Sequence, residues 1–267
     1  MRICFVNITI EEVSGPYFDL LRQLFARVVR TDAAVDIKSV KPGIRKAFEG
    51  SNPYFILLDK REIVEQVIAA EKEGYDAAVV GCFLDPGVAE ARSVVSIPVV
   101  GPGEATIHYA CLLGNRFGIV TLDDRQLIAS EETMLRQHGL ESRTIPRPVR
   151  PISLPSYEVF TRGLKEPRIV ASAVLEQAKH CVADGAEVVV VGCAGLGPEC
   201  TLAGVSKVPE GEAPILDCIT IALKTAEVMV DLRAVIGLPP SSRVGLYRSP
   251  TSKALHDVRR SFGLEPH

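Results

Sequence analysis

Two cysteines of this 267-residue chain occupy matching places. Residues 77–85 read AAVVGCFLD and residues 188–197 read VVVVGCAGLG, so Cys82 and Cys193 each follow an apolar run and one glycine. A thiol at such a strand end has two readings. Cysteine is often a small buried hydrophobe. As a thiolate it is also a nucleophile and a base, and N–H groups at a loop or helix start lower its pKa. A single such cysteine favours the buried reading; two in matched settings favour the reactive one. Ligands of open parallel sheets bind beyond the carboxyl ends of the strands, where both thiols stand. Each precedes a loop leading toward a helix, FLDPG after Cys82 and AGLGPE after Cys193. Gly195 and its neighbouring glycines let backbone approach a ligand closely.

Other residues at strand ends stay open between two roles. Asn7 suits either a turn or a hydrogen bond to substrate. Thr121, at the end of FGIVTL, suits a substrate contact or the cap of a helix starting near Asp124. Glu104 opens a helix and is explained by the helix dipole. Cys4 lies within a strand, Cys111, Cys181 and Cys218 on helices, and Cys200 in the loop after Cys193. No CxxC, HxxxH or HxxEH spacing occurs, so no metal site is expected. Walker A and GxSxG are absent, and GCAGLG matches a dinucleotide fingerprint only loosely.

The elements that must hold these thiols follow from periodicity. Strands are expected at 2–8, 34–40, 77–81, 97–100, 117–121, 186–191 and 213–216. Helices are expected over 15–30, with Pro16 in the first turn, and over 61–74, 87–95, 103–114, 124–138, 166–183 and 217–236. Residues 41–55 read as a loop, and the Pro-rich passage 145–156 as the clearest internal boundary. Short apolar strands alternating with amphipathic helices predict an α/β fold with parallel sheets. The succession helix, strand, Gly-Cys, loop, helix, strand, helix occurs twice, around Cys82 and around Cys193. Two related α/β lobes are therefore expected, each a mainly parallel sheet flanked by helices, with one cysteine in each. Residues 1–104 with 217–267 would form the lobe of Cys82, and 105–216 that of Cys193.

Composition narrows the class. The chain is 47% hydrophobic and 24% charged, with 30 basic and 33 acidic residues interspersed. No basic stripe suits a phosphate backbone, so nucleic acid is not an expected partner. No apolar run reaches bilayer length, and the N-terminus reads as a first strand rather than a signal peptide. A cytoplasmic homo-oligomer with a small-molecule substrate and no membrane partner is expected. Seven scattered cysteines make no disulfide framework and are expected as free thiols.

The order of VVGCFLDPGVAEAR, SIPVVGPGEATIHYA, RFGIVTL and VVVVGCAGL resembles the aspartate/glutamate/hydantoin racemase superfamily. GCFLDPG followed by IPVVG and GEA is most similar to its hydantoin and allantoin racemase branch. The resemblance implies a cleft between two α/β lobes and proton transfer by two cysteines, here Cys82 and Cys193, without a cofactor. It also implies substrate binding by backbone after each cysteine, at Phe83, Ala194 and Gly195, and at the polar strand ends Asn7 and Thr121. Two departures stand out. Asn7-Ile8-Thr9 replaces the Asn-Pro-Asn run of the branch, and Leu122 replaces a small hydroxyl residue among the substrate contacts. The segment from Gly237 to His267 extends beyond the branch pattern and is expected to pack on the first lobe or to serve assembly.

The implied reaction is racemisation of a 5-substituted hydantoin, an allantoin-like compound or an amino acid. One thiolate removes a proton from one face of the carbon while the opposing thiol returns one to the other. N–H donors after the cysteines would hold the developing enolate. A maleate-type cis-trans isomerase is the alternative within the superfamily, and a non-enzymatic small-molecule binder the alternative outside it. Arylmalonate decarboxylases use one cysteine, on the second lobe, so the presence of Cys82 argues against that reaction.

Overall fold

The computed structural model describes residues 1–209 and 212–265, apart from the side chains of residues 47 and 48. Residues 210–211 and 266–267, within the expected lobe ranges, lie outside it. Among the described residues, eight strands form two sheets of four. The first holds β1 (Arg2–Thr9), β2 (Ala34–Ile44), β3 (Ala77–Val80) and β4 (Val99–Val100), in the order β2-β1-β3-β4. The second holds β5 (Phe117–Thr121), β6 (Thr144–Pro151), β7 (Val188–Val191) and β8 (Ile215–Asp217), in the order β6-β5-β7-β8. Among the described residues, all six pairings between these strands are parallel. The internal sequence repeat is thus one topology built twice, and the cysteine-bearing strands β3 and β7 occupy the same place in it.

Among the described residues, ten α-helices surround the sheets. The first five are α1 (Gly15–Val28), α2 (Pro53–Lys72), α3 (Val88–Arg92), α4 (Pro102–Leu113) and α5 (Arg125–Gln137). The others are α6 (Ser156–Glu158), α7 (Pro167–Ala183), α8 (Leu196–Ala203), α9 (Cys218–Ile236) and α10 (Ser252–Ser261). A π-helical turn, Val159–Gly163, continues α6.

Side chains alternate along each strand, and both faces of both sheets are covered, so the strands read as continuous apolar runs. Ile3, Phe5, Ala77 and Val79 face inward and share one core with Phe117, Ile119, Val188 and Val190 of the other sheet, through α1, α4 and α9. Cys4, Val6, Ala78 and Val80 face outward onto α2. Val120, Val189 and Val191 do the same onto α7 and α8. The shared central core brings the carboxyl ends of β3 and β7 toward each other.

Three expectations are corrected. The Pro-rich passage 145–156 is no boundary: residues 144–151 form β6, an edge strand paired with β5. An edge strand leaves one row of N–H groups unused, so prolines fit there. Residues 41–55 are only partly loop, because β2 runs to Ile44 and α2 starts at Pro53. Asn52 caps α2 by accepting from Tyr54 N at 3.0 Å and Phe55 N at 3.3 Å. Cys200 lies on α8, fully buried, since the chain turns helical at Leu196.

The C-terminal segment packs on the first lobe. Arg243 donates to the carbonyl of Arg92 at 2.7 Å, and Arg259 grips Glu65 with two bonds of 2.8 Å. Among the described residues, no helix is long and apolar enough to cross a membrane.

Candidate active site

The glycine before each cysteine has a packing cause. Gly81 N donates to Val6 O and Gly192 N to Val120 O, both at 2.8 Å, which extends the β3–β1 and β7–β5 ladders by one step. A Cβ at residue 81 would lie 2.7 Å from the Phe5 ring, and one at residue 192 would lie 2.6 Å from Ile119 Cγ2. Neither fits, so only glycine lets these strand ends pass the core side chain of the neighbouring strand. The chain then turns and presents the thiol.

Cys82 and Cys193, from different sheets, line one cavity of about 500 Å³. Asn7, Phe83, Leu122, Ala194 and Gly195 line it with them. Among the described residues, the backbone N–H groups of Phe83 and Ala194 have no intramolecular partner, which leaves one free donor beside each thiol. Asn7 is buried, and its Nδ2 faces Thr9 O at 2.8 Å, with Ser14 and Ser39 hydroxyls also in reach. The Thr9 carbonyl can only accept, which fixes the orientation of the Asn7 amide.

Thr121 does not join this group. It is fully buried, and its hydroxyl donates to Glu131 Oε1 at 2.8 Å rather than facing the cavity. The helix near it is capped instead by Asp124, which accepts from Gln126 N at 2.8 Å and Leu127 N at 3.0 Å.

The thiols are not acidic in this setting. Burial pushes Cys82 up to about 12, against the N–H of Leu84, with the charges of Asp85 and Cys193 adding to the rise. Burial pushes Cys193 up to about 11, against the N–H groups of Leu196 and Gly195. The Gly195 N–H stands 3.4 Å from Cys193 Sγ. The expected pull of loop N–H groups is therefore present, but desolvation outweighs it. All seven cysteines are free.

Several site residues carry no sequence signal of their own. Tyr17, on the first turn of α1, reaches across to the second lobe and donates its hydroxyl to Ala194 O at 2.9 Å. Burial, then the nearby Cys193, holds its phenol well above its ordinary pKa, so it stays a donor. Ser51 donates to Asp124 at 3.1 Å and forms a second bridge between the lobes. Leu127, Tyr157, Phe160 and Leu164 join Leu122 in an apolar wall. Behind Cys82, Asp85 accepts from Gly103 N at 2.8 Å and Glu104 N at 2.7 Å, tying the Cys82 loop to the start of α4. Asp85 holds φ of 52°, and burial pushes its carboxyl up to about 8.

Two parallel sheets of identical strand order, each delivering a strand-end cysteine to a shared cavity, place the chain among two-lobed α/β enzymes. The Asp/Glu/Hydantoin racemase model matches residues 18–226. The chain belongs to that family and is an enzyme of the isomerase class. A hydantoin racemase from Pseudomonas sp. (strain NS671) is 28% identical over 75% of this chain and 75% of its own length. One from Paenarthrobacter aurescens is 33% identical over 72% of this chain and 75% of its own. The structure of an allantoin racemase from Klebsiella pneumoniae superposes with a TM-score of 0.79, at 24% identity and 98% coverage of both chains. That last likeness speaks to the fold.

Proposed function

We propose that this enzyme racemises 5-substituted hydantoins with an apolar substituent, by proton transfer between Cys82 and Cys193. The observation that carries the reading is one cavity holding both strand-end thiols, each beside an unpartnered N–H.

C5 of a hydantoin lies between a ring carbonyl and a nitrogen, so its proton is acidic enough for a thiolate. The thiolate of one cysteine takes that proton, and the electron pair moves onto the ring carbonyl as an enolate. The free N–H groups of Phe83 and Ala194 suit that oxygen. The opposite thiol then protonates C5 from the other face and becomes the thiolate. The same steps run backwards for the other enantiomer. A thiolate from a thiol of high pKa is scarce at neutral pH but strongly basic once formed, which suits a carbon acid.

The apolar wall of Leu122, Leu127, Phe160 and Leu164 supports an alkyl or aryl substituent over the ureido group of allantoin, which would lose hydrogen bonds to water there. It likewise disfavours a zwitterionic amino acid.

The test is racemisation of L- and D-5-benzylhydantoin in D₂O, followed by polarimetry and by deuterium incorporation at C5. Cys82→Ala and Cys193→Ala are each expected to abolish racemisation, with exchange surviving on one face at most. A wild-type rate in either variant would end the two-thiol reading. Turnover of maleate without any exchange at C5 of the hydantoins would favour a cis-trans isomerase.

A further inference from the structure

Tyr17 and Ala194 are 177 positions apart and belong to different lobes, yet the tyrosine hydroxyl donates to the Ala194 carbonyl at 2.9 Å. That carbonyl shares a peptide plane with the N–H of Gly195. No cis peptide bond occurs among the described residues, so the two groups point in opposite directions from one rigid unit. On its far side, this N–H is directed at Cys193 Sγ, at 3.4 Å. The hydroxyl of Tyr17, the 194–195 peptide and the Cys193 thiol thus form a continuous line.

Rotation of that peptide turns on ψ of Ala194 and φ of Gly195. Glycine resists such rotation least of all residues. Space demands glycine here, since a Cβ at residue 195 would lie 2.8 Å from the Phe160 ring. The orientation must then be held from outside, and the Tyr17 hydroxyl is bonded to the carbonyl end of the unit. A hydrogen bond accepted at the carbonyl also polarises the peptide and strengthens its N–H as a donor.

We propose that Tyr17 is a positioning residue: by holding the Ala194–Gly195 peptide it aims the N–H donor that stabilises the thiolate of Cys193. The assignment deepens the two-thiol reading and rests on it only for its consequence in turnover. It also makes the two cysteines unequal. Cys82 has the N–H of Leu84 in the corresponding role, and Tyr17 makes no hydrogen bond to the loop that carries it among the described residues.

The test uses Tyr17→Phe, which keeps the ring and removes only the hydroxyl. In a Cys82→Ser background, the rate of iodoacetamide alkylation of Cys193 is measured from pH 8 to 10, with the site assigned by peptide mass. Below the thiol pKa this rate follows the thiolate fraction. Losing one oriented donor to a charged group is expected to slow it about three- to ten-fold at each pH. Removing the hydroxyl opens space, so a merely steric effect would have the opposite sign. In the reciprocal Cys193→Ser background, alkylation of Cys82 is expected to stay unchanged by Tyr17→Phe. An unchanged Cys193 rate would overturn the assignment, and so would equal slowing of both cysteines, which would mean a general loosening of the cleft. The readout needs no substrate. A chain that racemises no hydantoin but shows the selective shift loses the proposed function and keeps this role for Tyr17.

Discussion

The Thr121 hydroxyl donates to Glu131 Oε1 at 2.8 Å in a place where neither side chain is exposed. Among the described residues, Glu131 Oε2 has no hydrogen-bond partner, and burial pushes the carboxyl well above its ordinary pKa. The group is therefore a neutral acid in the fold, while in the unfolded chain it ionises near its ordinary value of 4.5. The folded state holds the extra proton, so this residue lowers stability progressively as pH rises above that value, by at most about 1.4 kcal/mol per pH unit. Glu131→Gln keeps the shape and the acceptor for Thr121 and removes the titration. Urea melts at pH 5, 7 and 8.5 are expected to show the variant gaining on the wild type as the pH rises from 5. A constant difference across that range would mean that Glu131 is ionised in the folded protein.

Much of the fold was legible because buried parallel strands write themselves as apolar runs. Both Gly-Cys ends were legible as well, since the same packing demand occurs twice, against Phe5 and against Ile119. What escaped depends on contacts between distant segments. Tyr17 looks like one more residue at the start of an amphipathic helix, and only the approach of the two lobes brings its hydroxyl to Ala194. Thr121 carries the right residue type at the right strand end, but its partner Glu131 comes from α5. The prolines of β6 signal a break unless the strand is known to lie at an edge, and edge position is a property of the sheet. The thiol pKa values escape the sequence for a related reason: loop N–H groups can be inferred locally, whereas the desolvation that opposes them comes from the whole enclosure.

That enclosure sets the pH dependence expected of the proposed reaction. With Cys82 pushed up to about 12 and Cys193 to about 11 by burial, the free enzyme holds both protons near neutrality. The proposed two-thiol reaction needs one thiolate and one thiol, so on that reading kcat/KM for a hydantoin is expected to climb from pH 7 to 10, close to ten-fold per unit, without a plateau below pH 9. The first ionisation belongs to the pair and the second is raised by it. Iodoacetamide labelling at pH 7 is correspondingly expected to be slow at both sites. Rapid labelling of either cysteine at neutral pH, or a rate plateau near pH 7, would show that desolvation does not dominate in solution.

The apolar wall carries the prediction about substrate. Phe160 lies on the π-helical turn, lines the cavity beside Leu122, Leu127 and Leu164, and rests against Gly195. Removing its ring by Phe160→Ala has two separable consequences. If the ring packs on the substituent at C5, a benzyl or isobutyl hydantoin loses contact while 5-methylhydantoin, which is too short to need it, does not. A hydrophobic contact of that size is worth roughly ten- to hundred-fold in kcat/KM. If the ring only braces the Gly195 loop, every substrate slows by the same factor, because the damage is to Cys193 and not to the pocket. The ratio of benzyl to methyl kcat/KM therefore isolates the pocket term, and it is expected to fall at least ten-fold in the variant. An unchanged ratio with both rates reduced would move Phe160 from the substrate wall to the support of Cys193, and would remove the main reason for preferring an apolar substituent.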